Sequence, residues 1–168
     1  MLRFGVATSR KFGRKRFKRK NAPGHFRAAR SHIEEARVLY KETRYGYSIY
    51  TAGLAVECLF AAFILLNEPE HVFDEKHDLN KLMKRSKLLE LSKIERKKKL
   101  IGAFDFVYHY WDNSYRFASD EEILSSINKK KFENVKGDLL KFVACEVREN
   151  AAEIIKRGEV KWQQSERK

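Results

Sequence analysis

The sequence predicts an all-α fold: a helical bundle of four to six helices, with an up-down core and a short extra helix near 78–86. Three observations predict it. Only two prolines and eight glycines interrupt 168 residues, which favours long helices over many short strands. Apolar residues recur at steps of three and four through most of the chain. No convincing period-two alternation marks a strand. At 43% hydrophobic and 12% aromatic the chain has the composition of a packed domain rather than a disordered polycation. Two cysteines exclude a disulfide framework and a four-Cys zinc site.

The first helix spans roughly 24–43. Phe26, Ala29, Ile33, Ala36 and Tyr40 form its apolar stripe, and Glu34, Glu35 and Arg37 lie elsewhere on the wheel. The run Asn21-Ala22-Pro23-Gly24 punctuates the chain before it. The second helix, 46–67, is apolar on nearly every side from Ile49 to Leu66, with Glu57 at its centre. It reads as the central buried helix of the bundle, and a single membrane span is the alternative reading. Asn67-Glu68-Pro69 ends it. Asp78 caps a short helix carrying Leu79, Leu82 and Met83. The next long helix is marked by Ile94, Ile101, Phe104, Tyr108, Trp111 and Tyr115. Ser119 followed by Glu122 predicts a capping box. The last helical region carries Phe132, Val135, Leu139, Val143, Val147, Ala151 and Ile154. Gly158 is its expected stop, and Gly137 with Lys129–Lys131 could divide it in two.

Three parts follow: a basic arm over 1–22, a helical domain over 23–158 and a polar tail over 159–168. The net charge of +13 is unevenly placed. Residues 1–20 hold nine basic residues and no acid, leaving 27 basic and 23 acidic residues in the rest, a net of +4. The arm could bind phosphates through counterion release, or be a solvated extension. It has no apolar stretch of the kind a secretory signal needs, so the expected location is cytoplasmic, away from membranes.

The sharpest polar constellation is Asp105, His109, Asp112 and Arg116, at i, i+4, i+7 and i+11. On a continuous helix these share one face, beside Trp111 and Asn113. A His between two carboxylates suits a general acid, and the planar fork of Arg116 suits a phosphate. The plain alternative is an exposed stripe of ion pairs. Glu57, inside an apolar helix, needs a partner, for which Arg116, Lys141 or Arg44 are candidates. His109, Arg116, Trp111, Asn113 and Glu57 are therefore the candidate ligand-binding residues. No metal motif, Gly-rich phosphate loop or nucleophile elbow is present, so no metal or other cofactor is expected.

The run Tyr45-Gly46-Tyr47-Ser48-Ile49-Tyr50-Thr51-Ala52-Gly53-Leu54-Ala55-Val56-Glu57-Cys58-Leu59-Phe60 resembles the signature helix of HEPN domains (higher eukaryotes and prokaryotes nucleotide-binding). His77-Asp78-Leu79, followed by Leu82, is similar to the family's His-Asp-Leu segment. Trp111-Asp112-Asn113-Ser114-Tyr115-Arg116-Phe117 is similar to its Trp…Arg-Tyr stretch. The resemblance covers about 24–157. It implies an all-α bundle, commonly a homodimer, that binds nucleotide, RNA or DNA or partners a minimal nucleotidyltransferase. It also implies an alternative: a metal-independent RNase of a toxin-antitoxin or defence system. A purely structural assembly bundle is a third reading. The family's nucleases carry Arg, four to six residues, then His, late in the bundle. Here no His follows Arg116, so the resemblance implies binding without that catalytic pair. Two such pairs lie early in the chain, Arg27 with His32 and Arg19 with His25. About one match is expected by chance from the Arg and His content, so Arg27 and His32 are weak catalytic candidates beside His109 and Arg116.

Overall fold

The computed structural model describes residues 21–73, 76–90 and 94–165. Residues 1–20 of the basic arm, Arg19 among them, lie outside the described residues, while Asn21 and Ala22 belong to the first helix and its cap. Six α-helices appear, and no strand among the described residues. They are α1 (Ala22–Lys41), α2 (Tyr45–Asn67), α3 (Leu79–Ser86), α4 (Ile94–Tyr110), α5 (Asp120–Ser126) and α6 (Leu139–Ser165). Two 3-10 turns, Asn113–Phe117 and Lys129–Phe132, link the later helices. The expected bundle, and the short helix near 78–86, are both present.

The central helix is α2. Residues such as Ile49, Val56, Leu59, Phe60, Phe63 and Ile64 are fully or almost fully buried, and they lie on every side of it. Burial of this kind explains an apolar sequence without amphipathic period. By length and composition α2 could cross a membrane, yet 78% of its most apolar window is buried inside the protein. Helix α1 lies along α2, with Ala29, Ile33 and Ala36 inward. The buried Ser48 hydroxyl donates to the Ala36 carbonyl at 2.8 Å, tying the two helices at their shared turn. Asn21 opens α1 by accepting from the Gly24 amide at 3.0 Å. On another side of α2, helix α6 contributes Val143, Val147, Ala151 and Ile154 to the core.

Of two boundaries expected around the last helix, one differs and one is present. Gly158 does not stop α6, which runs on to Ser165 and carries the buried Trp162 against Phe26 and Phe63. Gly158 is buried because Leu59 of α2 packs where a Cβ would stand. Most of the expected polar tail is therefore helical, anchored to the core by Trp162. At the other end, Gly137 with φ +99° separates Phe132 from α6, so the division near 129–137 is real.

The third boundary shapes the candidate site. Helix α4 ends at Tyr110, and Asp112 is extended (φ −138°, ψ 140°). The helical stripe expected through Asp105, His109, Asp112 and Arg116 is thus broken. The Asp112 carboxylate accepts from the Ser114 amide at 2.7 Å and caps the 3-10 turn instead of facing His109 as its second carboxylate. Trp111 causes the ending. Its ring is 8% exposed, and its indole N–H donates to the Tyr50 carbonyl at 2.9 Å. The ring lies against the backbone of Gly53, where any Cβ would fall inside the indole. Trp111 is consequently a plug between α4 and α2, and no free ring remains for a ligand to stack on.

Candidate functional site

Although the stripe is broken, its members remain together. The 3-10 turn folds Asn113, Ser114 and Arg116 back toward the end of α4. Opposite lies the turn Lys76-His77-Asp78-Leu79. Between them is an open cleft of about 720 Å³, lined by Lys76, His77, Tyr108, His109, Asn113 and Arg116 among others.

Each wall is held by the fold. Lys76 and His77 have φ of +48° and +66°, a left-handed pair with no glycine. Such a conformation costs on the order of 1 kcal/mol or more per residue and needs anchors. Asp78 supplies one anchor. Its carboxylate accepts from the Asn80 and Lys81 amides at 3.1 and 3.0 Å and so starts α3. The Lys81 backbone N–H is the main reason its carboxyl lies below the usual range, with the Lys81 charge adding to it. Glu57 supplies the other anchor. Both of its oxygens lie 2.9 Å from His77 Nδ1. The partner of Glu57 is therefore His77, and not Arg116, Lys141 or Arg44. Helix α2 leaves the Glu57 side chain 17% exposed, one step behind the cleft wall.

A carboxylate accepts, so His77 donates from Nδ1, and its Nε2 is uncommitted. His109 repeats the pattern on the opposite wall. Its Nδ1 donates to the Asp105 carbonyl at 2.7 Å. Two imidazoles thus meet one cleft with Nδ1 committed and Nε2 uncommitted.

Arg116 has no carboxylate partner among the described residues. Its guanidinium stands over the Phe117 ring at 4.5 Å, and that ring is 80% exposed. Tyr108 adds a second exposed ring. Asn113 Oδ1 is buried with no hydrogen-bond partner. The cleft accordingly offers two cationic side chains, two imidazoles and two exposed rings. Both of its carboxylates, Asp78 and Asp112, serve as helix caps.

Arg27 and His32 do not come together. Five residues apart on α1, they are separated by about 140° around the helix. Arg27 lines a groove between α1 and α6 of about 810 Å³, while His32 pairs with Glu35 at 3.2 Å outside that lining. This groove is larger than the cleft but is laced with ion pairs. Glu34 meets Arg37, Glu159 meets Arg30, Glu153 meets Arg157 and Glu149 meets Arg148. It reads as a solvated face, so the candidate site is the cleft.

Among the described residues no group of three or more His, Cys, Asp or Glu side chains could hold a metal ion. Cys58 is buried; Cys145 is partly buried, 3.7 Å from Arg148 Nη2. Sequence reasoning missed His77. It placed His77 only in the His-Asp-Leu segment, with no site role, and no sequence signal links it to Glu57 twenty residues away. Compared with known proteins, the chain matches no family model, no curated protein and no solved structure.

Proposed function

We propose that the protein binds a phosphate-bearing ligand, a nucleotide or single-stranded nucleic acid, in the cleft around Arg116. One observation carries this reading: Arg116 is exposed, has no acidic partner among the described residues, and shares its cleft with Lys76 and two imidazoles. A guanidinium free of carboxylates is the group best shaped for a phosphate, and exposed Phe117 and Tyr108 offer faces for an unpaired base. The HEPN resemblance supports the same ligand class, and the absence of a His after Arg116 supports binding without the family's usual catalytic pair.

The test is binding of a dinucleotide to the wild type and to Arg116→Gln, read by calorimetry. Loss of one charge-assisted contact should weaken binding about tenfold or more, equivalent to about 1.5–3 kcal/mol. Equal affinities would overturn the proposal.

The paired imidazoles favour a second reading, a metal-independent RNase. Here His77 Nε2 would take the ribose 2′-hydroxyl proton and protonated His109 would supply one to the leaving 5′-oxygen. Incubation of RNA in EDTA tests it. Cleavage lost in both His77→Asn and His109→Asn supports it; intact RNA with the wild type rejects it.

A further inference from the structure

Charge within the domain is not evenly spread. Residues 21–168 have a net charge of +4. Residues 128–142 carry five lysines against Glu133 and Asp138, a net of +3. A locally basic stretch thus surrounds the second 3-10 turn and the start of α6, as another lies over 85–99, with a net of +5. Lys129, Lys131, Lys136 and Lys141 are exposed, and none has an ion-pair partner among the described residues. Asp138 is engaged as a cap, accepting from the Lys141 amide at 3.0 Å. The contrast with the α1–α6 groove, where every lining glutamate meets an arginine, is sharp.

A line of rings begins at the cleft and reaches two residues that follow these lysines in the chain. His109 neighbours Tyr110 at 6.4 Å between centroids, Tyr110 neighbours Phe132 at 5.4 Å, and Phe132 neighbours Phe142 at 5.8 Å. Phe142, at the far end, is exposed. Lys131 precedes Phe132 in the chain, and Lys141 precedes Phe142. The last turn of α4 therefore presents His109 to the cleft and Tyr110 to an aromatic ridge, in which Tyr110 and Phe132 are half-buried against the core and Phe142 is exposed.

We infer that the ridge extends the cleft into a track, and that the ligand is a single-stranded oligonucleotide rather than a mononucleotide. This rests on the phosphate-binding reading of the cleft. A strand anchored at Arg116 would run past His109 along the ridge, its phosphates over the lysines. Uncommitted cations following a line of rings are the arrangement that tracks a single strand, because the backbone is charged throughout and unpaired bases have free faces. A duplex has no free base faces for the ridge.

The experiment uses the full chain, so that the basic arm is common to every variant. Fluorescence anisotropy compares labelled 2′-O-methyl oligouridines of 3 and 12 nucleotides, which cannot undergo transesterification. The variants are Arg116→Gln and a quadruple change of Lys129, Lys131, Lys136 and Lys141 to Gln. All substituted side chains are exposed, and melting curves check the fold. The expected result is that the 12-mer binds the wild type at least tenfold more tightly than the 3-mer. The quadruple variant loses most of that gain but retains 3-mer binding. Its slope of log affinity against log salt becomes shallower by about three, since four phosphate contacts at about 0.7 each are lost. A length gain and salt slope unchanged in the quadruple variant would overturn the inference and assign the gain to other cations. Binding of the 3-mer indifferent to Arg116→Gln would instead overturn the cleft reading, and the inference with it.

Discussion

Gly53→Ala tests how the fold builds the cleft. In the native protein Trp111 lies directly on the Gly53 backbone, and the indole N–H donates to Tyr50 one turn earlier. An alanine methyl would occupy the space of the ring itself, not of a flexible side-chain end. The ring must leave or α4 must move away from α2. Overpacking of this kind costs about 1–3 kcal/mol. Stranding the buried indole donor adds about 1–3 kcal/mol. A total near 3 kcal/mol corresponds to a fall in Tm of roughly 6–12 °C for a chain of this size. Thermal unfolding followed by far-UV circular dichroism measures it directly. Tryptophan fluorescence adds a local readout, because the chain has only two tryptophans and Trp162 packs at the other end of α6 from the cleft. Since Asp112–Phe117 follows the plug immediately, the same substitution should weaken ligand binding at the cleft. A Tm within 2 °C of wild type, with unchanged Trp fluorescence, would refute the plug and the reason given for the end of α4.

Ser119→Ala should remove the reciprocal capping box in which Ser119 and Glu122 each accept from the other's amide. A loss of about 1 kcal/mol in urea unfolding is expected, and no loss would show that α5 is fixed by packing alone. Acid should loosen the turn that carries His77. The carboxyls of Asp78 and Glu68 lie below their ordinary values, Asp78 chiefly through the Lys81 amide and Glu68 chiefly through its hydrogen bond from Arg85. A depressed folded value means the stabilisation is present above the unfolded pKa and is lost as pH falls through the folded one. Wild-type stability should therefore drop more between about pH 5 and 3 than that of the Asp78→Asn, Glu68→Gln double variant, the ordinary carboxyl range. Parallel curves in chemical denaturation would contradict the assignment. Glu57→Gln should weaken cleft binding while costing under about 1 kcal/mol of stability, because its pair with His77 is partly solvated. Unchanged binding would show that the pair does not position the cleft wall.

The sequence made the helices legible because their signals are local. Stripe spacing gave α1, unbroken apolarity gave the buried α2, and cap residues gave the starts of α3 and α5. What it did not reveal came from residues with two uses. Trp111 and Tyr115 continue the apolar period past Tyr110, so the pattern reads as one unbroken helix, although Asp112-Asn113-Ser114 is itself a cap-rich string. Gly158 resembles a stop, yet the same missing Cβ serves close packing on Leu59. The candidate site was half legible. Arg116, His109 and Asn113 do share a cleft, but by a turn in the chain rather than along a helix face. Trp111 belongs to the core. The partnership of Glu57 with His77 depends on where the 70–78 connector returns to α2, which local spacing does not encode.

The central claim is that the ligand sits between the Lys76–Leu79 turn and the 3-10 turn carrying Arg116. Titration of isotopically labelled protein with a dinucleotide, followed by amide chemical shifts, tests it most directly. Shifts should concentrate at Lys76–Leu79, Tyr108–His109 and Asn113–Phe117, and should vanish in Arg116→Gln. Shifts centred on Arg27 and the α1–α6 groove, or none at saturating ligand, would contradict it.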